Sequence, residues 1–130
     1  MKITTRFIYG LKFIEYLYRK GCIVKMNRIS KSLNLSRKYL EKLSRSLSEN
    51  GIIKSTRGPS GGYCLKAGDE ITLLDVYNAL EGKVEEGKCF EAASCKAKKC
   101  KTSEILEDVN NEIRSFLDNR KLSEYFEEEE

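Results

Sequence analysis

Residues 36–63, SRKYLEKLSRSLSENGIIKSTRGPSGGY, decide how the rest of the chain is interpreted. Ser36 stands where a helix N-cap belongs, with a hydroxyl that can accept a backbone N–H of the first turn. At about 100° per residue, the apolar face that follows consists of Leu40, Leu43 and Leu47. The opposite face carries Lys38, Glu41, Lys42, Arg45 and Glu49. We predict a helix over 37–49 that is either a DNA recognition helix or an ordinary amphipathic surface helix.

A glycine-rich hairpin is predicted directly after this helix, in GIIKSTRGPSGGYCLK. Residues 52–57 and 63–66 favour strands, and 58–62 favour a turn. Glycines allow the backbone to approach a phosphate chain closely, and a narrow minor groove attracts a cation such as Arg57. The hairpin is therefore predicted to be a wing, with a plain surface hairpin as the alternative.

The segments before residue 36 are predicted to form helices that pack against the helix over 37–49. Phe7, Leu11, Ile14 and Tyr18 recur at helical spacing, which predicts a helix over 4–19. Residues 22–24 favour a short strand, and a helix over 27–33 followed by a short turn completes a helix-turn-helix. We expect a mainly α fold with a small β-hairpin wing, whose winged helix-turn-helix DNA-binding domain occupies 1–82.

Two further helices are predicted downstream. Thr72 and Asp75 form a capping box, and Gly82 ends the helix that they begin. A polar, cysteine-containing sensor loop is predicted over 83–101. Thr102 or Ser103 then caps a long helix over 102–126, and 127–130 is a frayed acidic tail. The long helix exceeds what a winged-helix core needs and carries an apolar stripe, which favours a role in homodimerisation.

The charge of the chain is strongly polarised. The net charge is +4, but residues 1–66 carry 15 Lys or Arg and 3 Asp or Glu, whereas residues 67–130 carry 9 and 17. A basic front half is typical of a double-stranded DNA-binding surface. The apolar runs are too short for a membrane span, and the first residues lack a signal-peptide pattern. We expect a cytoplasmic protein with no membrane partner.

The chain contains no histidine, which removes the commonest general base and the commonest metal ligand. Ser-His and Cys-His nucleophile arrangements are therefore impossible. No small-molecule substrate is evident, and we expect the protein not to be an enzyme.

Three of the five cysteines, Cys89, Cys95 and Cys100, are clustered in the polar loop. Such a trio suits the thiolate ligands of an iron–sulfur cluster. Zinc more often uses closely paired cysteines and four ligands. A thiol redox switch is a further alternative because neighbouring lysines stabilise thiolates, and idle cysteines are the fourth. Cys22 and Cys64 are expected to serve in packing.

The stretches MKITTRFIYGL, LSRKYLEKLSRSLSENGIIKSTRGPSGGYCL and EITLLDVYNALEG resemble the Rrf-two family of winged-helix transcription regulators (IscR/NsrR/CymR-like). The resemblance covers residues 1–120, and RGPSGGY is among its most specific parts. It implies homodimers that bind palindromic promoter DNA, with 37–49 in the major groove and 57–62 in the minor groove. Glu41 matches a family contact residue, whereas Lys38 and Lys42 differ from the family pattern, so the resemblance does not give the operator sequence. The predicted DNA-binding residues are Ser36, Arg37, Lys38, Glu41, Lys42, Arg45, Arg57, Gly58, Pro59, Ser60 and Gly61.

The resemblance also bears on the cysteines. Family members that sense through a cluster carry three cysteines before the long helix, and Cys89-x5-Cys95-x4-Cys100 has one residue fewer in the second gap. This implies an iron–sulfur cluster, with 2Fe–2S favoured, that senses redox state, nitric oxide or iron–sulfur status. The fourth ligand of one branch is replaced here by Ser103, and that of another by Ile8. Other oxygen donors are Glu85, Glu86, Glu91 and Glu104. The alternative function is a regulator or protein-interaction module with a thiol switch or structural zinc.

Overall fold

The structure is a computed structural model that describes residues 3–21, 23–66, 70–82 and 100–127. These residues form a mainly helical fold with one antiparallel hairpin, which confirms the predicted winged-helix class. The elements are α1 (Thr5–Lys20), α2 (Met26–Leu33), α3 (Arg37–Glu49), β1 (Ile53–Thr56), β2 (Gly62–Leu65), α4 (Leu73–Glu81), α5 (Lys101–Asp118) and α6 (Leu122–Phe126).

The core lies between α1, α3 and α4. The predicted inner face of α3 is confirmed, because Leu40, Leu43 and Leu47 are all at most 1% exposed. They pack in one cluster with Phe13 of α1 and Val76 of α4. A fully buried leucine contributes about 1.5–3 kcal/mol relative to an exposed one, so this face fixes the orientation of α3 in the domain.

Close packing of α1 on α4 depends on Gly10. A methyl group at this position would overlap the side chain of Leu80. At the start of α1, the Thr4 hydroxyl accepts the backbone N–H of Phe7 at 3.1 Å and donates to the Glu81 carboxylate. The start of α1 and the end of α4 are therefore tied together by a polar contact as well as by apolar packing.

The turn between α2 and α3 has the expected helix-turn-helix geometry. Asn34 ends α2 in the left-handed region at φ 55°. Ser36 then caps α3, its hydroxyl accepting the Tyr39 backbone N–H at 3.1 Å. The predicted N-cap is thereby confirmed.

The hairpin pairs β1 with β2 in the register Ile53↔Leu65, Lys54↔Cys64, Ser55↔Tyr63 and Thr56↔Gly62. The short strand predicted over 22–24 is reduced to a single bridge between Val24 and Tyr63, and Cys22 lies outside the described residues. This bridge anchors the segment before α2 to the wing, so helix-turn-helix and wing form one unit.

The helix predicted over 102–126 is wrong as a continuous element. Helix α5 ends at Asp118 and α6 begins at Leu122. Between them, two backbone hydrogen bonds of 2.9 Å connect the chain to the segment before α4. The Leu73 N–H donates to the Arg120 carbonyl, and the Leu122 N–H donates to the Ile71 carbonyl. The chain therefore exchanges helical hydrogen bonds for an antiparallel bridge to the segment before α4.

The two predicted helix caps downstream of the wing differ in outcome. The Thr72 and Asp75 capping box is confirmed, with reciprocal hydrogen bonds of 3.1 and 3.0 Å. The N-cap of α5 is Cys100 rather than Thr102 or Ser103. Across the described ranges, no helix has the length and apolarity that crossing a membrane would require.

Candidate nucleic-acid interface

The outer face of α3 is polar and largely cationic. Lys38, Lys42 and Arg45 are exposed, as is Glu41. Because the leucines of the same helix are buried, these side chains project away from the core along one surface. This is the surface that the charge pattern of the sequence predicted.

The wing tip is compact because its residues are small. Gly61 donates its N–H to the Gly58 carbonyl at 2.9 Å, closing a tight turn. Gly58 has φ 102°, a conformation that favours glycine. A methyl group at Gly61 would overlap the Thr56 carbonyl oxygen, so the turn leaves no room for a side chain there. Arg57 is exposed at the start of this turn.

A groove of about 280 Å³ separates the wing tip from the helix-turn-helix. Arg37 and Asn27 line one side, and Gly58, Pro59 and Gly61 line the other. Arg37 and the turn residues of the predicted interface are thus brought together.

A second groove, of about 330 Å³, lies farther along α3. Glu41 and Arg45 line it together with Ser55 and Tyr63 of the hairpin. Of the predicted interface residues of α3, Arg37 therefore lines the first groove, and Glu41 and Arg45 line the second. The other three, Ser36, Lys38 and Lys42, are exposed on the helix but line neither groove.

Arg37 is held by two neighbours. Its Nη1 donates to the Asn27 Oδ1 at 3.0 Å, and its Nε lies 3.4 Å from the Glu41 Oε1. Asn27 was missed at the sequence level. It lies on α2, ten residues from Arg37, and no local spacing rule pairs residues that far apart across a turn.

An apolar groove of about 580 Å³ lies on another face, between α1 and α5. Its lining includes Ile3, Leu11, Ile113 and Phe116. Phe116 is 53% exposed, and the stripe continues along α5 through Val109 and Ile105, which are 47% and 61% exposed. The apolar face of α5 is therefore only partly covered within the described chain.

Of the three loop cysteines, Cys89 and Cys95 lie outside the described residues. Cys100 is half-buried, and its Sγ accepts the Ser103 backbone N–H at 3.4 Å. Within 3–21, 23–66, 70–82 and 100–127, no group of three His, Cys, Asp or Glu residues is arranged to hold a metal. Cysteine sulfur is the usual protein ligand of iron–sulfur clusters, so the chemistry of Cys100 fits such a group.

The oxygen donors that the sequence offered as a fourth ligand fall on both sides of the described boundary. Glu104 is engaged by Lys101 Nζ at 3.3 Å, and Ser103 is half-buried beside Cys100. Ile8, which stands where another branch has a carboxylate, is 42% exposed on α1. Outside the described residues lie Glu85, Glu86 and Glu91.

Known proteins resemble this chain over nearly its whole length. The family model Rrf2, described as an iron-dependent transcriptional regulator, matches residues 3–128. The chain belongs to the Rrf2 family. This confirms the Rrf-two resemblance, and the Rrf2 family consists of transcriptional regulators, not enzymes.

One Rrf2 relative is the HTH-type transcriptional regulator IscR of Erwinia tasmaniensis. It is 38% identical over 98 residues, which cover 74% of this chain and 59% of IscR. The chain thus matches less than two thirds of the length of that relative. The remainder of IscR lies outside the matched region.

Two solved Rrf2-family structures match the whole fold. The global cysteine regulator CymR (YrzC) of B. subtilis superposes with a TM-score of 0.82 at 27% identity, covering 100% of this chain and 99% of CymR. IscR of T. potens gives a TM-score of 0.79 at 28% identity, covering 100% and 89%. The arrangement of helices and hairpin described above is therefore that of the Rrf2 family.

Proposed function

We propose that this chain is a homodimeric Rrf2-family regulator that binds double-stranded promoter DNA with α3 in the major groove and the wing in the minor groove. The observation that carries the proposal is the joint geometry of α3 and the wing. Helix α3 buries its leucines, exposes its cations and shares a groove with the wing tip.

The cationic face supplies affinity. Lys38, Lys42 and Arg45 neutralise phosphates as α3 enters the groove, and counterion release then drives binding. Ser36 and Arg37 lie at the N-terminal end of α3, the end of a recognition helix that usually meets the bases. Sequence discrimination is therefore assigned to this end of α3.

The wing supplies a second contact. The turn formed by Gly58, Pro59, Ser60 and Gly61 has little side-chain bulk, so its backbone can approach the DNA. Arg57 brings a positive charge to the same place, which suits the negative potential of a narrow minor groove. The bridge from Val24 to Tyr63 keeps this turn at a set distance from α2 and α3.

Homodimerisation is assigned to the exposed stripe of α5 and the apolar groove beside it. A second copy would cover Phe116, Val109 and Ile105, which the described chain leaves partly exposed. A dimer also places two recognition helices on one duplex, as palindromic half-sites about one helical turn apart require.

The cysteine loop is assigned to sensing. Cys89, Cys95 and Cys100 would hold an iron–sulfur cluster, with 2Fe–2S favoured, and such a group supplies one-electron redox chemistry when bound. Cys100 begins α5, and the other end of α5 is buried through Leu117. A change in the position of Cys100 therefore moves a helix that is packed on the DNA-binding core and proposed to contact the partner subunit.

DNA binding is tested with Lys42→Ala and Arg57→Ala, using fluorescence anisotropy on a mixed-sequence duplex at several salt concentrations. We expect weaker binding and a salt slope smaller by about 0.9 for each phosphate that is no longer neutralised. Lys121→Ala is the matched control, because it removes the same charge from a half-exposed side chain in the link between α5 and α6, outside α3 and the wing. Unchanged affinity and slope in the first two variants would remove these residues from the interface.

The cluster is tested by anaerobic purification. We expect a brown protein whose visible absorption is lost in Cys95→Ala and kept in Cys64→Ala, because Cys64 pairs with Lys54 inside the hairpin. A colourless protein with stoichiometric zinc would overturn the cluster and favour a structural zinc site. A colourless, metal-free protein would favour a thiol switch.

A further inference from the structure

The guanidinium of Arg37 is held in one orientation by side chains from two different helices. Asn27 on α2 accepts a hydrogen bond from Nη1 at 3.0 Å, and Glu41 on α3 lies 3.4 Å from Nε. The Arg37 side chain nevertheless remains 61% exposed. The guanidinium is thus oriented without being buried, and it has more N–H donors than these two acceptors use.

Arg37 is also placed where an oriented guanidinium could contact DNA. Arg37 is the first residue of α3 and lines the groove opposite Gly58 and Pro59 of the wing. A long side chain that binds DNA loses rotamer freedom, and holding it in place beforehand lowers that loss. Asn27 orients Arg37 without adding a negative charge.

Glu41 changes the kind of contact that Arg37 makes. A carboxylate next to the guanidinium offsets part of its charge, which weakens a purely electrostatic attraction to phosphate. The directional hydrogen-bond donors of the guanidinium are unaffected. An arginine at this end of a recognition helix commonly donates to the O6 and N7 atoms of guanine.

We propose that Arg37 is a specificity-determining residue that donates to a guanine edge, and that Asn27 is the positioning residue that holds it. This inference rests on the proposed DNA-binding function. It assigns a role in recognition to α2 through a residue that does not itself touch DNA.

The test compares two probes by fluorescence anisotropy. One is a duplex that the wild-type protein enriches from a randomised library, and the other is a mixed-sequence duplex. We expect Arg37→Ala to lower the ratio of the two affinities by about tenfold, and Asn27→Ala by about threefold. The salt slope on the mixed-sequence duplex should change little, because the number of neutralised phosphates stays the same.

Matched variants separate positioning from general damage. Asn27→Asp keeps an acceptor oxygen. It should therefore give the wild-type affinity ratio that Asn27→Ala loses, even if the affinity for both duplexes falls. Asn50→Ala is the control, because Asn50 donates to the Ser46 carbonyl at the other end of α3 and should leave the ratio unchanged. In the Arg37→Ala background, Asn27→Ala should have no further effect, since Asn27 acts through Arg37.

Three results would overturn the inference. Independent, additive effects of Asn27→Ala and Arg37→Ala would show that Asn27 does not act through Arg37. A reduced salt slope with an unchanged affinity ratio would make Arg37 a phosphate-binding residue. A wild-type protein that enriches no duplex and binds no mixed-sequence DNA would overturn the proposed function itself, which distinguishes that failure from the other two.

Discussion

Helices α3 and α5 are both amphipathic, but only α3 has its apolar stripe buried within the described chain. Leu40, Leu43 and Leu47 of α3 are at most 1% exposed. On α5 only Leu117 is buried, while Ile105 and Phe116 are more than half exposed. The same periodicity thus has two outcomes, since α3 builds the domain core and α5 presents an apolar surface outward.

The largest expected effect comes from breaking the inner face of α3. Leu43→Ala should lower the free energy of unfolding by about 2–5 kcal/mol, because it removes buried methyl groups and leaves a cavity. Urea denaturation followed by circular dichroism measures this. Ser48→Ala, at an exposed position of the same helix, is the control and should stay close to the wild-type midpoint.

The second effect concerns the outer stripe of α5. Phe116→Asp should weaken a dimer by about 2 kcal/mol or more, roughly 30-fold in the dissociation constant, because the charge enters an apolar contact. The helical content of the monomer should persist, since Phe116 is 53% exposed. Sedimentation velocity measures the association. Asn111→Asp adds the same charge at another exposed site of α5, and equal behaviour of the two variants would exclude this stripe from the interface.

A smaller effect is expected at the N-cap of α3. Ser36→Ala removes the hydroxyl that accepts the Tyr39 N–H and should cost about 1 kcal/mol of stability. Thermal unfolding measures the loss. Ser36→Thr keeps an acceptor and should recover most of it. A full-sized loss in Ser36→Thr would show that the hydroxyl bond is not what stabilises this end.

The smallest stability effect is expected at the N-cap of α5. Cys100→Ser replaces a weak sulfur acceptor with a good one. Thermal unfolding should therefore show a stability higher by only about a few tenths of a kcal/mol, and Cys100→Ala should be less stable than Cys100→Ser. Both variants should lose the visible absorption expected of the anaerobic protein, because both lose the thiolate. Retained absorption would remove Cys100 from the proposed ligand set.

Local sequence patterns were sufficient for α1, α3, α4 and the hairpin. Their apolar spacing, the capping box at Thr72 and the glycines at 58–62 each act within a few residues. The break between α5 and α6 was not predictable in this way. Its backbone hydrogen bonds go to Ile71 and Leu73, which are distant in the chain.

In the candidate site, too, features set by local sequence were predictable and features set by contacts between helices were not. The exposed cations of α3 and the small residues of the wing follow from spacing and residue type. The hold of Asn27 on Arg37 does not, because it depends on how α2 crosses α3. Cys100 as a helix cap was also missed, since cysteine is not a preferred N-cap residue and Thr102 and Ser103 follow closely.

The bridge between Thr72 and Lys121 has a consequence for the order of folding. Leu117 and Leu122 belong to the same core cluster as Phe7, and Tyr18 donates to Glu127, 109 positions later. Contacts this distant in sequence form slowly because their loop entropy is lost before they stabilise anything. On the ribosome, the core between α1, α3 and α4 can therefore assemble once α4 has emerged, whereas Leu117 and Leu122 join it only after α5 and α6 have been made.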